Sequence, residues 1–141
     1  VTPERVLFSE PVAQVSVATV LGQITILPNH LPLVSQLKPG EIIIKHHGHK
    51  ESLMAVSGGF IEVLPDQVVI LADTAERAEE IDELRAEEAH KRAEEMLKTK
   101  LTDAKEFASF TAQMEKELAR LRVARKHKRK GKRLDTNPKG E

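Results

Sequence analysis

The feature that most constrains this chain is a change of hydrophobic period at Asp73. Before it, β-branched and aliphatic runs are short and broken every few residues by Gly, Pro, Asn or Asp. After it, those breakers nearly vanish and apolar residues recur at spacings of 3 and 4. A period near 2 puts alternate side chains on one face of a strand, and a period near 3.6 puts a stripe on one face of a helix. One kind of element cannot satisfy both halves. The chain therefore reads as α+β, with strands first and helices second.

In the first half, Val15 and Val17 alternate within a β-branched stretch over 12–20. Residues 23–27 alternate again and stop at Pro28, which cannot donate to a ladder. Residues 33–37 read as a short edge strand, closed by a turn signal at Lys38-Pro39-Gly40. Residues 41–47 and 50–56 form a hairpin through Gly48-His49, and 60–64 and 67–72 another through Pro65-Asp66. Many short strands at close spacing predict an antiparallel β-sandwich or barrel.

In the second half, Asp73 or Thr74 supplies a cap and the acids that follow suit a helix N-terminus, so a helix is expected over 75–98. Thr102-Asp103 is the next cap signal, and a second helix is expected over 103–125. Its stripe is Phe107, Phe110, Thr111, Met114, Leu118 and Leu121. A short link between two amphipathic helices predicts an antiparallel hairpin. On the first helix, Ala78, Ala86, Ala89, Ala93 and Met96 form a small-residue stripe, with Asp82, Arg85 and Arg92 inside it. Charge within a close-packing face marks either a frustrated interface or a polar binding site.

Composition excludes more than it selects. Lys plus Arg and Asp plus Glu number 22 each, so the net field favours no partner, although 76–95 is acidic and 120–133 basic. Without cysteine there is no disulfide framework and no thiolate metal site. No apolar run approaches the ~20 residues that span a bilayer, so no direct membrane insertion is expected. His46, His47 and His49 resemble a metal cluster, but adjacent strand residues face opposite ways, and an exposed hairpin tip is the expectation. Gly58-Gly59 precedes a strand rather than a helix and lacks the lysine of a phosphate loop. No nucleophile–base constellation stands out, so no enzyme is expected. The basic run is open to three readings: nucleic-acid phosphates, a solvated tail, or an acidic protein surface. It has no interleaved aromatics for base stacking.

Several motifs occur together. They are Val1-Thr2-Pro3-Glu4, Ile26-Leu27-Pro28-Asn29-His30-Leu31-Pro32-Leu33 and Leu37-Lys38-Pro39-Gly40. Ala55-Val56-Ser57-Gly58-Gly59-Phe60-Ile61-Glu62-Val63, Ile70-Leu71-Ala72-Asp73-Thr74-Ala75-Glu76 and Ile81-Asp82-Glu83-Leu84-Arg85-Ala86 follow in order. In these the chain resembles the epsilon-subunit family of bacterial F-type ATP synthases, over most of residues 1–125. The resemblance implies an N-terminal antiparallel β-sandwich and a C-terminal antiparallel two-helix hairpin. Its expected bounds are 1–73 for the sandwich, 74–126 for the hairpin and 127–141 for a basic, disordered tail. It further implies a non-catalytic rotor-stalk subunit, peripheral on the cytoplasmic face of the bacterial membrane. Its partners would be gamma, the c-subunit ring and the alpha/beta catalytic hexamer. It would couple proton flow to ATP synthesis and restrain ATP hydrolysis. The alternative is a nucleic-acid-binding module built on the basic tail.

No cofactor is required, but the resemblance implies ATP as a regulatory ligand on the hairpin. Ile81, Asp82, Arg85 and Ala86 match the family's nucleotide motif, and Glu76 and Arg92 match acidic and basic positions beside it. Arg85 and Arg92 can grip phosphates as charged forks, Ala86 leaves room for adenine, and Asp82 can accept from the base or orient an arginine. Lys116 and Arg120 align with the second-helix basic positions, although both fall away from the apolar stripe. The competing reading is salt bridging of these charges to the second helix. Two departures stand out. The family's first strand would precede Val1, so an open sheet edge is expected, and its Gly-Glu-Leu-Gly turn reads Gly22-Gln23-Ile24-Thr25. An Ala-rich, charge-interrupted interface predicts a marginally stable hairpin with two states, folded against the sandwich or extended along the stalk.

Overall fold

The computed structural model describes residues 1–99 and 104–135. The Thr102-Asp103 cap signal lies outside the described residues. Seven strands come first: β1 (Gln14–Thr19), β2 (Gly22–Ile26), β3 (Leu33–Lys45), β4 (Glu51–Val56), β5 (Gly59–Val63), β6 (Val68–Ala72) and β7 (Ala75–Arg77). A 3-10 turn (Ala78–Glu80) leads into α1 (Glu83–Thr99), and α2 (Ala104–Asp135) follows.

All described strand pairs are antiparallel, in the order β2-β1-β3-β4-β7, with β5 and β6 branching from β3. The branch arises because β3 belongs to two layers. Its first half pairs with β5, Leu33 opposite Val63 to Leu37 opposite Gly59. Its second half pairs with β4, Gly40 opposite Val56 to Lys45 opposite Glu51. Lys38-Pro39-Gly40, expected to be a turn, is therefore the bend of one continuous strand. Pro39 sits where neither partner needs its N–H, and the β1 register shifts there, from Val17 opposite Ile42 to Thr19 opposite Leu37.

Alternate residues fill the interior between the layers: Val15 and Val17, Ile42 and Ile44, Met54 and Val56, Ile61 and Val63, closed by Ile26, Leu37 and Ala72. At Gly59 the backbone crosses at φ 130°, and a Cβ there would stand 2.0 Å from the Leu71 carbonyl oxygen. No other residue fits. On the outer edge of β6, the Val1 ammonium donates to the Ile70 carbonyl at 2.7 Å and the Ala72 N–H donates to the Val1 carbonyl at 2.8 Å.

β4 is buried on both faces over residues 53–56, because α2 lies across its outer side. A second apolar cluster forms there from Leu53, Ala55, Ala78 and Val123, flanked by Ile43 and Ile81.

The expected first helix starts late. The Asp73 N–H donates to the Gly58 carbonyl, and the Thr74 N–H and hydroxyl donate to Ser57 Oγ at 3.0 and 2.7 Å. These bonds deliver the chain to the open edge of β4, where Ala75–Arg77 pairs as β7. A nonlocal ladder there overrides helix propensity. The second helix also runs ten residues beyond the expected end at 125, to Asp135, so the expected disordered tail is helical to that point.

Candidate functional site

The nucleotide motif occupies the start of α1. Asp82 is its cap: the Arg85 N–H donates to Asp82 Oδ1 at 3.2 Å and the Ala86 N–H to the Asp82 carbonyl at 3.0 Å. The Arg85 guanidinium returns to Asp82 Oδ2, with Nε at 3.5 Å, and is 84% exposed. Arg92 pairs with Glu88 at 3.6 Å and is 75% exposed. Ala86 has no exposed surface, and Ala93 is buried with it. The charges expected inside the alanine stripe therefore do not lie there. Asp82 precedes the helix, Ala78 belongs to the 3-10 turn, and both arginines flank the packed face with the exposed Met96. Ala86 spends its smallness on close helix contact rather than on an open recess. Arg125 and Lys128 of α2 pair with Glu83 of α1, whereas Arg85 and Arg92 pair with Asp82 and Glu88.

The other half of the expected site forms a different structure. Glu76, placed by sequence at a helix start, is in β7. Arg120 Nε and Nη2 donate to its two carboxylate oxygens, Nη2 at 3.2 Å, and Nη1 donates to Glu117 at 2.7 Å. Glu117 is buried and Arg120 largely so. Burial pulls the Arg120 pKa down, but its hydrogen bonds to the Glu117 and Glu76 carboxylates, with their charges, outweigh it and raise the pKa above the ordinary arginine value. This fork ties α2 to the sandwich's last strand. Lys116 is half-buried one turn away. Among the described residues, no hydrogen bond or ion pair joins Asp82, Arg85 or Arg92 to Glu76, Lys116 or Arg120. Glu117 was missed by sequence reading, although its position three residues before Arg120 is the usual helical pairing distance.

The basic run also has partners. Lys126 reaches Glu41 of β3 at 2.5 Å, Lys130 reaches Glu51 of β4 at 2.5 Å, and Lys128 reaches Glu83 of α1 at 2.9 Å. Arg125 joins Glu83 at 3.4 Å. The Glu83 carboxyl is lowered below its ordinary value, first by the hydrogen bond from Lys128.

Elsewhere, His46 Nε2 lies 2.9 Å from Ser52 Oγ, and its ring meets Phe8 edge-on with centroids 5.8 Å apart. No group of three or more His, Cys, Asp or Glu that could hold a metal occurs among the described residues. A cavity of about 880 Å³ opens between the sandwich layers, lined in part by Phe8, Ile26, Ile42 and Met54, and none of the candidate nucleotide residues borders it. No helix among the described residues is long and apolar enough to cross a membrane.

Residues 1–78 match the family described as ATP synthase, delta/epsilon chain, β-sandwich domain, and residues 79–125 match the long α-helix domain of the same chain. The ATP synthase epsilon chain of Chloroflexus aggregans is 48% identical over 128 residues, covering 91% of each chain. That of Dehalococcoides mccartyi is 46% identical over 129 residues, covering 92% of this chain and 91% of the relative. Among solved structures, a chain of the Euglena gracilis mitochondrial ATP synthase (OSCP/F1/c-ring) aligns with TM-score 0.71 and 28% identity, over 81% of this chain and 71% of that one. A chain of the Tetrahymena thermophila mitochondrial ATP synthase central stalk and c-ring shares the fold at TM-score 0.59 and 14% identity, over 87% and 91%. These matches do not favour the nucleic-acid reading of the basic run. A β-sandwich matched over 1–78, helices matched over 79–125, and curated relatives near half identity leave one placement: the chain belongs to the ATP synthase delta/epsilon family, as an epsilon-type subunit.

Proposed function

We propose that this subunit is non-catalytic, joins gamma and the c-subunit ring beneath the alpha/beta hexamer, and restrains ATP hydrolysis through a hairpin with two positions. It couples proton flow to ATP synthesis as a peripheral component on the cytoplasmic face of a bacterial membrane. The observation that carries the two positions is the thin seat of α2 on the sandwich. Its buried apolar part is Leu53, Ala55, Ala78 and Val123, and its rim is ionic. Burying a Leu or Val is worth about 1.5–3 kcal/mol, so so small a patch leaves the folded-back position only marginally preferred.

ATP would act by preferring that position, since a ligand shifts an equilibrium only by its differential affinity. Arg85 and Arg92 carry the phosphate contacts in this reading. Each is exposed and paired with a near neighbour in sequence, Arg85 with the cap Asp82 and Arg92 with Glu88, and such pairs are weak enough for a phosphate to displace. Asp82 holds the turn that aims Arg85. Ala86 keeps α1 close to α2, Lys116 adds a cation on the second helix, and Glu76 with Arg120 locks α2 in place.

The test is titration of the full chain with ATP while hairpin compaction is followed by energy transfer between sandwich and α2. Compaction at millimolar ATP, weakened about tenfold or more by Arg85→Ala, is the expected result for a lost charged hydrogen bond. No binding at that concentration, or binding indifferent to Arg85→Ala, removes the nucleotide-sensing part. Restoration of regulated hydrolysis in an epsilon-depleted ATPase tests the subunit's regulatory role independently.

A further inference from the structure

The outer face of the sandwich beneath α2 is built by two periodicities that meet. Glu41 and Ile43 of β3, and Glu51, Leu53 and Ala55 of β4, alternate outward while their neighbours fill the interior. From α2, Ala119, Val123, Lys126 and Lys130 descend at spacings of 4, 3 and 4 onto that face. The apolar members meet in the centre and the lysines meet the glutamates at the rim. Lys128, with Arg125, turns instead to Glu83 at the start of α1. The acids come from three elements, β3, β4 and α1, and converge on one helical segment. Glu41 makes the arrangement exacting: its Oε1 takes Lys126, while its Oε2 is buried without a hydrogen-bond partner. With Lys126 gone, that carboxylate would stand against the helix with no counter-charge, and an unsatisfied buried acceptor disfavours the closed geometry.

We propose that Lys126, Lys128 and Lys130 form an ionic clamp that holds the hairpin folded back, so that ionic strength sets the folded-back fraction independently of nucleotide. The clamp rests on the two-position reading above and names a second control on it. Its glutamates are each only about a quarter exposed, at 25–27%, so the pairs are screened less than ordinary surface pairs at low salt. Each pair is individually small, and their sum decides a balance that is itself small.

The chain has no cysteine, so Asp66→Cys and His127→Cys place a dye pair on sandwich and α2 without further change. Raising salt from ~0.01 to ~1 M shortens the Debye length from ~30 to ~3 Å and should cut the folded-back ratio about tenfold. Lys126→Glu with Lys130→Glu should open the hairpin at low salt, and adding Glu41→Lys with Glu51→Lys should close it again. Arg122→Glu with Arg129→Glu changes net charge equally on exposed positions and should leave it closed. Circular dichroism checks that each variant remains folded. A reversal no stronger than this control, or a ratio indifferent to salt while ATP still moves it, overturns the clamp and leaves the nucleotide switch standing. Indifference to salt, charge reversal and ATP together overturns both.

Discussion

The interior of the sandwich and the seat of α2 are two interfaces made from opposite faces of the same strands. The interior gathers Val, Ile, Leu and Met from facing layers, with Ile61, Val17, Val63 and Thr19 almost wholly excluded from solvent. The seat buries two larger side chains, Leu53 and Val123, among Ala55 and Ala78, and ion pairs surround them. Stability in the first comes from area removed from water and is nearly indifferent to salt and pH. Stability in the second is divided between a little area and many charges, and responds to both. One β4 strand thus borders an apolar contact and a largely ionic one.

The largest test of this contrast is Ile61→Ala. Ile61 has no exposed surface, and a cavity at such a site costs about 4 kcal/mol. Chemical denaturation followed by a sandwich probe should register that loss while the dye-pair distance of the surviving folded molecules stays unchanged. A loss below about 1 kcal/mol would deny the interior its role.

Next is Arg120→Ala. It strands Glu117, which is 5% exposed, and removes the fork between α2 and β7. Breaking a buried pair from one side costs about 3 kcal/mol, here charged to the hairpin rather than the sandwich. Hydrogen exchange should rise along α2 and not in β1 or β5. Arg120→Lys should recover little, because a point charge cannot hold two carboxylates as the fork does. Uniform protection across both regions would mean that the fork is ornamental.

The smallest effect is acid sensitivity through Glu83. Its pKa is depressed below the ordinary value of 4.5, chiefly by Lys128. A depressed carboxyl contributes stability above its unfolded pKa and loses it as pH falls through the folded value. Compaction should therefore be level at neutral pH and decline below about pH 4.5. Glu83→Gln should remove part of that decline; a profile identical to the parent's would assign the sensitivity to other carboxylates.

The strands were readable because alternation is local: Val15 and Val17, or Ile61 and Val63, announce their faces without knowledge of any partner. What escaped was set by partners distant in sequence. Lys38-Pro39-Gly40 has the composition of a turn, and only the pairing of its two sides with β5 and β4 makes it a bend. Residues 75–77 carry helix formers, yet the open edge of β4 claims them. The run after 125 looks self-repelling in isolation, and its neutralising glutamates lie 85, 79 and 45 positions away, at Lys126–Glu41, Lys130–Glu51 and Lys128–Glu83. At the candidate site, Asp82, Arg85 and Ala86 stood out as a motif, but spacing could not show that Ala86 faces the partner helix while Arg85 faces water. Nor could it pair Glu76 with Arg120 across 44 positions.

The continuity of β3 has a mechanical consequence. Layers joined only by loops can slip when twisted against each other, because loops carry tension poorly. Here the covalent backbone of one 13-residue strand runs through both layers and is ladder-bonded to β1, β4 and β5. A torque applied to one layer reaches the other along that backbone, and shear requires many ladder bonds to fail together. The sandwich is therefore braced against relative twist of its two layers.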